Sequence, residues 1–391
     1  MSDSFWLQTT PDARCPSLTK SCEADVVVIG GGLTGLHTAL ALLELDSSLS
    51  VLLIEAHQIC SGASGRTMGK LATNHSRIYP RLTPDAGAAY AEADNQGFNR
   101  ILELVKTYEI ECDLQHVSHY IFASTEAHTG HVRKDYEAFE RFGIDIDWFE
   151  PQDITSQELP MDFLVSLKKT NQAIYHPRKF ALGVMQVIQS LGGRVYEHTA
   201  AVELKETLEG VTVLLQNGAS IKAKKAVVAT RVGIGADEPY AASLSFWRSY
   251  LAAYPFEEAP VRHAYTRYDP AVTSVRPNDT HLVIGGSNPK ALKAEEEKHY
   301  QALDAWVQNS YPKVKTSAAL RQVPAWWGED ADSADRLPLI GLYRRGAKHS
   351  FMATGYCGWG MTKSAFAGIM LANLVRGENH PYQSYFDPWR F

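Results

Sequence analysis

Three glycines with the spacing G-x-G-x-x-G, Gly30, Gly32 and Gly35, lie between two apolar runs near the start of the chain. Glycine has no Cβ atom, so phosphates can approach the backbone of such a turn, and the free N–H groups of a following helix attract the anion. Glu55 lies 20 residues after Gly35, where a carboxylate accepts hydrogen bonds from a ribose and repels a 2′-phosphate. These residues predict a dinucleotide site that disfavours NADP. The alternative is a glycine-rich turn of an ordinary α/β protein.

The elements that position these glycines are predicted as strand, turn, helix and strand. Residues 25–29 and 51–54 are short runs of β-branched residues and leucine, which is typical of strands buried on both faces. Residues 33–45 repeat leucine and alanine at helical spacing. We therefore count Leu33 and Thr34, at the start of the helix, and Ala56, after the acid, with the dinucleotide site.

A loop of small residues follows Glu55 and contains Ser64, Gly65 and Arg66. Small residues and hydroxyls let a backbone approach a ligand closely, and a guanidinium pairs well with phosphate. A plain flexible loop is the alternative. Lys70 and His75 follow within ten residues of this loop.

A second turn of the same kind lies near the other end of the chain. A predicted strand, residues 350–354, is followed by the glycine-rich stretch 355–362 and a helix over residues 363–375. The positive end of that helix suits an anionic ring, such as a reduced flavin at its N1–C2=O edge, whereas a nicotinamide would not need it.

The bulk composition is that of a globular protein, with 391 residues, 45% apolar and 21% charged. The net charge of −6 argues against a nucleic-acid or anionic-membrane binder. We find no signal peptide and no run of 18 apolar residues, so we expect a cytoplasmic protein without an integral membrane segment. The five scattered cysteines are expected to be reduced thiols. Two histidine pairs, His116/His119 and His128/His131, are expected to be exposed, and we predict no metal site.

Several motifs together resemble one family: FAD-dependent amine and amino-acid oxidoreductases related to D-amino-acid oxidase, glycine oxidase and sarcosine oxidase. The pattern is most similar to gamma-glutamylputrescine oxidase-like members. The resemblance runs over nearly the whole chain and is carried by residues 25–36, 62–66, 176–177, 192–197, 226–230, 284–286, 337–341 and 355–362.

The resemblance implies an α/β fold: a Rossmann-like FAD-binding domain and an interleaved substrate domain built on a large mixed or antiparallel sheet. The FAD-binding domain would comprise residues 1–86, 171–240 and 333–391. The substrate domain would comprise residues 87–170 and 241–332.

The resemblance also implies roles for single residues. The first glycine motif, Glu55 and the Ser64–Arg66 loop would hold the ADP half of FAD, and Ala201 would meet adenine through its backbone. Ala229 and Thr230 would approach the phosphates or the ribityl chain, and Gly341 belongs to the same set. The flavin ring would be lined by Gly358, Trp359, Gly360, Met361 and Thr362. Lys70 and His75 would lie over the flavin. The predicted substrate contacts are Arg321, Trp327 and Trp359.

Three departures from the family pattern qualify this assignment. Covalent-flavin relatives carry a cysteine in the stretch before Pro338, and this chain has Trp326 and Trp327 there, so we expect non-covalent FAD. Sarcosine oxidase-like members have a lysine where this chain has Thr362, which puts carboxylate binding there in doubt. Relatives of residues 67–75 often continue into a Rieske domain, and this sequence has no C-x-H pair for such a cluster.

The function we predict is the oxidation of a small amine or amino acid by hydride transfer from the C–H beside nitrogen to flavin N5, after which the imine hydrolyses. His75 would take the ammonium proton. Oxygen or another acceptor would take the electrons. The alternatives are a dehydrogenase with a non-oxygen acceptor, an RNA-modifying flavoprotein of the same family, and a protein that binds FAD without turnover. The substrate and the oligomeric state stay open.

Overall fold

Two β-sheets, built from alternating blocks of consecutive strands, organise the computed structural model. The structure describes residues 3–234, 240, 243–270, 272–286, 296–314 and 323–391. Its strands are β1 (Cys22–Ile29), β2 (Val51–Ile54), β3 (Lys70–Leu71), β4 (Gln115–Ala123), β5 (Asp147–Phe149), β6 (Val165–Ile174), β7 (Arg194–Tyr196), β8 (Ala201–Glu206), β9 (Val211–Leu215), β10 (Ser220–Val228), β11 (Leu244–Pro255), β12 (Ala264–Arg267), β13 (Val272–Pro277), β14 (His281–Gly286), β15 (Ala325–Ser333), β16 (Leu339–Leu342) and β17 (Ser350–Thr354). Its α-helices are α1 (Phe5–Gln8), α2 (Leu33–Leu45), α3 (Pro84–Thr107), α4 (Glu126–Arg141), α5 (Pro177–Ser190), α6 (Glu296–Ser310), α7 (Gly360–Val375) and α8 (Gln383–Phe386).

The first sheet has eight strands in the order β16-β17-β10-β1-β2-β7, and β9 joins β8 to β10. β1 pairs in parallel with β2 and β10, and β10 pairs in parallel with β17. Residues 26–29 and 51–54 are buried, as expected for strands covered on both faces. Because β1, β10 and β17 run in the same direction, their carboxyl ends lie at one edge of the sheet, and α2 and α7 both begin there.

The second sheet has nine strands in the order β15-β11-β14-β13-β12-β4-β6-β3, with β5 paired to β6. Its pairs are antiparallel except for β12 with β4, which are parallel. The expected α/β class with a large mixed sheet is therefore confirmed. Along the chain, β1–β2, β7–β10 and β16–β17 belong to the first sheet, and the intervening blocks β3–β6 and β11–β15 belong to the second. The five-segment division into domains stays a prediction.

Helices α2 and α7 pack closely on each other. A Cβ atom added at Gly368 of α7 would lie 2.5 Å from the Cβ of His37 on α2, so the two helices meet where a side chain is missing. Helix α3 packs on the start of α7 in a similar way, since a Cβ at Gly97 would lie 2.1 Å from the carbonyl oxygen of Thr362. These contacts pack α7 against both α2 and α3.

From its local pattern the sequence predicts an irregular lead-in over residues 1–24, separate strands over residues 220–223 and 225–230, and a helix over residues 293–309. The structure differs at each of them. The stretches 220–223 and 225–230, predicted as separate strands, form one strand, β10, whose first half pairs with β9 and whose second half pairs with β17. The lead-in over residues 1–24 contains helix α1, because Trp6 is fully buried and its Nε1 donates to the carbonyl of Thr67 at 2.7 Å. The helix predicted over 293–309 is observed from Glu296, and residues 293–295 lie outside the described residues.

No helix in the described ranges combines the length and the apolar character that crossing a bilayer requires.

Candidate active site

The glycine turn between β1 and α2, residues 30–35, is called the first corner. Gly30 has φ +114°, and a Cβ there would lie 2.5 Å from the carbonyl oxygen of Ala229. A Cβ at Gly35 would lie 1.9 Å from the carbonyl oxygen of Gly30, so the helix can approach the strand only without a side chain. Gly32 differs, because its Cβ would meet only Ser64 Oγ, at 3.2 Å, within 4 Å. The backbone at Gly32 therefore borders open space, which fits the approach of a pyrophosphate.

The loop that follows β2 closes over this corner. Ser64 Oγ accepts a hydrogen bond from the Leu33 N–H at 3.1 Å, so it satisfies one of the free amides at the start of α2. A Cβ at Gly65 would lie 1.7 Å from the carbonyl oxygen of Cys60. Arg66 is buried, and its guanidinium donates to the carbonyls of Ser61 at 3.1 Å and Trp327 at 3.4 Å. Its role as a phosphate partner stays a prediction.

Glu55 lies at the end of β2, half-buried, and one of its carboxylate oxygens contacts the first corner. Oε2 accepts from the Gly31 N–H at 2.7 Å, and Oε1 accepts from the His57 N–H at 2.9 Å. Each oxygen keeps a further lone pair for a ligand hydroxyl. Ala56, next to it, is exposed. Ala201 begins β8 beside a cavity of about 200 Å³ that Thr199 and Ala200 help to line.

The turn between β17 and α7, residues 355–362, is called the second corner. Gly355, Cys357 and Gly358 have positive φ angles of 75°, 55° and 81°. Trp359 precedes the first residue of α7, Gly360, and Met361 and Thr362 are buried in its first turn. Ala229 and Thr230 follow β10, the strand between β1 and β17. Gly341 lies in β16, where a Cβ would be 2.6 Å from Pro388 Cδ, so packing explains its missing side chain.

The two corners touch each other. Thr34 Oγ1, in the first turn of α2, lies 2.9 Å from the hydroxyl of Tyr356 in the second corner. Two helix N-termini therefore meet at one sheet edge, and each supplies backbone N–H groups and a partial positive charge. One extended, anionic ligand can bind both.

A cluster of buried polar side chains surrounds the indole ring of Trp359. The His75 ring stacks on it with centroids 4.3 Å apart and an interplanar angle of 15°. The His119 ring meets it edge-on at 6.0 Å, and Lys70 Nζ lies 5.8 Å from its centroid. The structure thus brings Lys70 and His75, which lie in one stretch of the sequence, together with Trp359 near the other end of the chain.

Lys70 holds its ammonium group against the second sheet. Nζ donates to Thr266 Oγ1 at 2.7 Å and to the carbonyl of Tyr265 at 3.2 Å. In the described part of the chain no carboxylate forms an ion pair with it. Burial, and next the positive charge of Arg276, lowers the pKa of Lys70 to about 7. A sizeable fraction of Lys70 is therefore a neutral amine at neutral pH.

His75 has both ring nitrogens engaged. Nε2 lies 2.6 Å from the carbonyl of Ala72, which can only accept, so the proton of the neutral ring is on Nε2. Nδ1 faces the Tyr90 hydroxyl at 2.9 Å and Asp94 Oδ1 at 3.2 Å. Burial, and next the charge of Lys363, holds the pKa of His75 well below its usual range. The arrangement speaks against the expected role of His75 as the acceptor of a substrate proton.

His119 belongs to the same cluster and shares Thr266 with Lys70. Its Nε2 lies 2.8 Å from Thr266 Oγ1, and its Nδ1 lies 2.7 Å from Asn74 Oδ1. Because Asn74 Oδ1 can only accept, His119 Nδ1–H donates to it, and Nε2 of the neutral ring then accepts from the Thr266 hydroxyl. His119 is fully buried, so our expectation of an exposed histidine was wrong at this position. Asn74 Nδ2 is buried and has no partner among the described residues.

The predicted substrate residues are not all in this cluster. Trp327, on β15, packs with the aromatic core of the second sheet, and the guanidinium of Arg248 lies 3.9 Å from its ring centroid. Arg321 lies outside the described residues.

Sequence reasoning missed His119, Asn74 and Thr266 as members of the cluster, and also the buried pair Asp94 and Lys363. Asp94 had a usable signal, because it falls on the otherwise apolar stripe of helix α3. The others had none, since their neighbours in space are far away in sequence.

Known proteins resemble this chain over nearly its full length. The model of the family described as FAD dependent oxidoreductase matches residues 25–374. The putative Rieske 2Fe-2S iron-sulfur protein YhfW of Bacillus subtilis is 28% identical over 400 residues, covering 100% of this chain and 76% of that protein. The gamma-glutamylputrescine oxidoreductase of Escherichia coli is 25% identical, covering 94% of this chain and 87% of its own.

The fold also matches solved structures. Glycine oxidase from Geobacillus kaustophilus superposes with a TM-score of 0.78 at 17% identity, over 94% of this chain and 99% of that one. The open backbone at Gly32, the two adjoining helix N-termini and the acid at the end of β2 all fit the FAD that the family model implies. The resemblance seen in the sequence is confirmed, and the chain belongs to the FAD dependent oxidoreductase family.

Proposed function

We propose that this protein oxidises a small amine or amino acid at the C–H bond next to nitrogen, with FAD as its cofactor. The observation that carries the proposal is the meeting of the two corners, joined by Thr34 and Tyr356, beside a buried cluster that contains a lysine with a lowered pKa. The names of two similar proteins, gamma-glutamylputrescine oxidoreductase and glycine oxidase, support the choice of an amine or amino acid.

In this proposal the first corner, Glu55 and the loop around Ser64 and Arg66 hold the ADP half of FAD. Ala201 lies at the adenine end, and Ala229 and Thr230 lie beside the linking chain. The second corner, from Gly358 to Thr362, holds the ring. These contacts would hold FAD without a covalent bond, so we propose that FAD is bound non-covalently.

When bound, FAD supplies an acceptor for the hydride that leaves the carbon beside the substrate nitrogen, and the product imine hydrolyses in water. The protein must bind the substrate, exclude water and remove a proton from the ammonium group, because the carbon releases hydride readily only when the nitrogen is neutral.

Lys70 is the residue we propose for that proton. A neutral lysine amine has two N–H bonds and one lone pair, and Thr266 Oγ1 and the Tyr265 carbonyl account for both N–H bonds. The lone pair is then left for an incoming ammonium. A pKa of about 7 matches this role, since an acceptor works best when its pKa is near the working pH. His75 and Trp359 would form a wall of the same pocket.

The test is anaerobic bleaching of the purified yellow protein by a panel of amines and amino acids. The control panel contains 2-hydroxy acids and reduced nicotinamide dinucleotides. We expect at least one amine or amino acid to bleach the flavin, and air then tests for oxygen as the acceptor through peroxide release. Bleaching by a hydroxy acid alone, or by no compound with a C–H beside nitrogen, would overturn the proposal.

A further inference from the structure

We infer that Asp94 and Lys363 are positioning residues. As a pair of opposite charges they keep the His75 ring neutral, with its proton on Nε2. In this state the ring stacks on Trp359. The inference concerns protonation within the protein and goes beyond the oxidation proposed above. It assigns a task to the buried charges that no step of that oxidation uses.

The pair joins helices α3 and α7 directly behind the second corner. Lys363 Nζ contacts Asp94 Oδ1, donates to the Tyr90 carbonyl at 3.2 Å and lies 3.4 Å from the centroid of the Tyr90 ring. Asp94 Oδ2 accepts from the Tyr79 hydroxyl at 2.8 Å. The Lys363 and Asp94 side chains are 0% and 1% exposed. Lys363, although next to Thr362, therefore points into the helix interface and is engaged there.

The pair interacts electrostatically with His75, because Asp94 Oδ1 lies 3.2 Å from His75 Nδ1. Nε2–H is committed to the Ala72 carbonyl, so Nδ1 is the only place for a second proton. In the neutral ring Nδ1 accepts from the Tyr90 hydroxyl, 2.9 Å away. On the other side, Thr362 Oγ1 lies 3.3 Å from Nε2 and links the ring to the second corner.

The charged and titratable groups around His75 come from four elements. Helix α3 contributes Tyr90 and Asp94, α7 contributes Lys363, β4 contributes His119 and β3 contributes Lys70. Burial raises the pKa of Tyr90 and lowers that of His119, and both stay neutral.

The pair itself is balanced between two opposing effects. Burial raises the pKa of Asp94 to about 6 and lowers that of Lys363 to about 8, and each partner limits the shift of the other. Between these values the pair carries one negative and one positive charge. A further proton on His75 would add an uncompensated positive charge to a fully buried site, which is costly.

Removing one charge should therefore move a proton to His75. In Lys363→Met the Asp94 carboxylate is buried without a cation, and the nearest group able to supply one is the His75 ring. In Asp94→Asn the lysine charge remains and His75 stays neutral. In the double variant neither charge is present, and His75 is neutral again.

The experiment is NMR of the FAD-loaded protein labelled in its histidine rings, with the His75 signal assigned by its loss in His75→Gln. We expect no titration of His75 between about pH 6 and 8 in the wild type, where the pair carries both charges, with ring nitrogen shifts of the Nε2–H form. Only Lys363→Met should titrate in this range, with a proton affinity at least tenfold higher. Asp94→Asn and the double variant should resemble the wild type, as should Lys222→Met, an exposed control.

A His75 ring that titrates in the wild type, or that carries its proton on Nδ1, would overturn the inference without any variant. An unchanged His75 signal in folded Lys363→Met would also overturn it. A merely structural ion pair predicts similar losses of stability in both single variants and no selective titration. The readout needs no substrate, so it is independent of whether amines bleach the flavin.

Discussion

Replacing Gly32 with alanine separates the binding of FAD from the folding of the first corner. Gly32 has φ −77° and ψ 178°, which alanine adopts without strain. Its added Cβ would meet only Ser64 Oγ, at 3.2 Å, so that hydroxyl must move by a few tenths of an ångström. The methyl group otherwise enters the space that we assign to the pyrophosphate.

The expected magnitudes follow from this geometry. We expect the apoprotein to change in stability by less than about 1 kcal/mol, as is usual for this exchange at an extended position before a helix. Displacing the phosphate from one backbone N–H forfeits a hydrogen bond to a charged group, about 1.5–3 kcal/mol. The Kd for FAD should therefore rise roughly ten- to hundredfold.

The assay is a fluorescence titration of apoprotein with FAD, together with thermal unfolding without FAD. Gly62→Ala is the matched control, since a Cβ there meets no atom within 4 Å, and its Kd should not change. Gly35→Ala should show the opposite profile, a large loss of apoprotein stability, because its Cβ would lie 1.9 Å from a carbonyl oxygen. A well-folded Gly32→Ala protein with wild-type affinity for FAD would refute the reasoning.

In the wild type, kcat/KM should rise with pH through about 7, because the neutral Lys70 amine that accepts the substrate proton is present above the pKa of Lys70. Lys70→Met should abolish this rise. Lys222→Met, an exposed control, should keep it. Gly97→Ala should weaken FAD binding and broaden the flavin spectrum, since its methyl would lie 2.1 Å from a carbonyl of the second corner; an unchanged spectrum and Kd would contradict that packing. A double-mutant cycle of Thr34→Val and Tyr356→Phe, read by FAD affinity, should show a coupling of about 1 kcal/mol, and strict additivity would mean that the corners act separately. Acid precipitation should release all the flavin as intact FAD, and yellow colour left in the pellet would disprove non-covalent attachment.

The parts of the fold that could be predicted are those set by local pattern. Helix α2 and strand β2 have the predicted bounds, because helical periodicity and the flanking glycines and acids are features of neighbouring residues. The same holds for β17. In contrast, the continuity of β10 depends on its two partner strands, β9 and β17, which the local sequence does not specify.

The candidate site shows the same division. The backbone of both corners could be located from glycine spacing alone. The protonation states could not, because they depend on burial and on partners far along the chain. The sequence predicts that His75 accepts a proton, but in the structure its two ring nitrogens are already engaged by the Ala72 carbonyl and the Tyr90 hydroxyl. Lys363, one residue beyond the predicted ring contact Thr362, is engaged by Asp94 on another helix.

The most direct test of the central claim is a crystal structure of this protein with its cofactor bound. The account predicts one FAD molecule whose pyrophosphate lies against Gly32 at the start of α2. Its ring should lie at the start of α7, beside Trp359 and within reach of Lys70. A ring bound away from the second corner, or a nicotinamide dinucleotide in its place, would contradict the account.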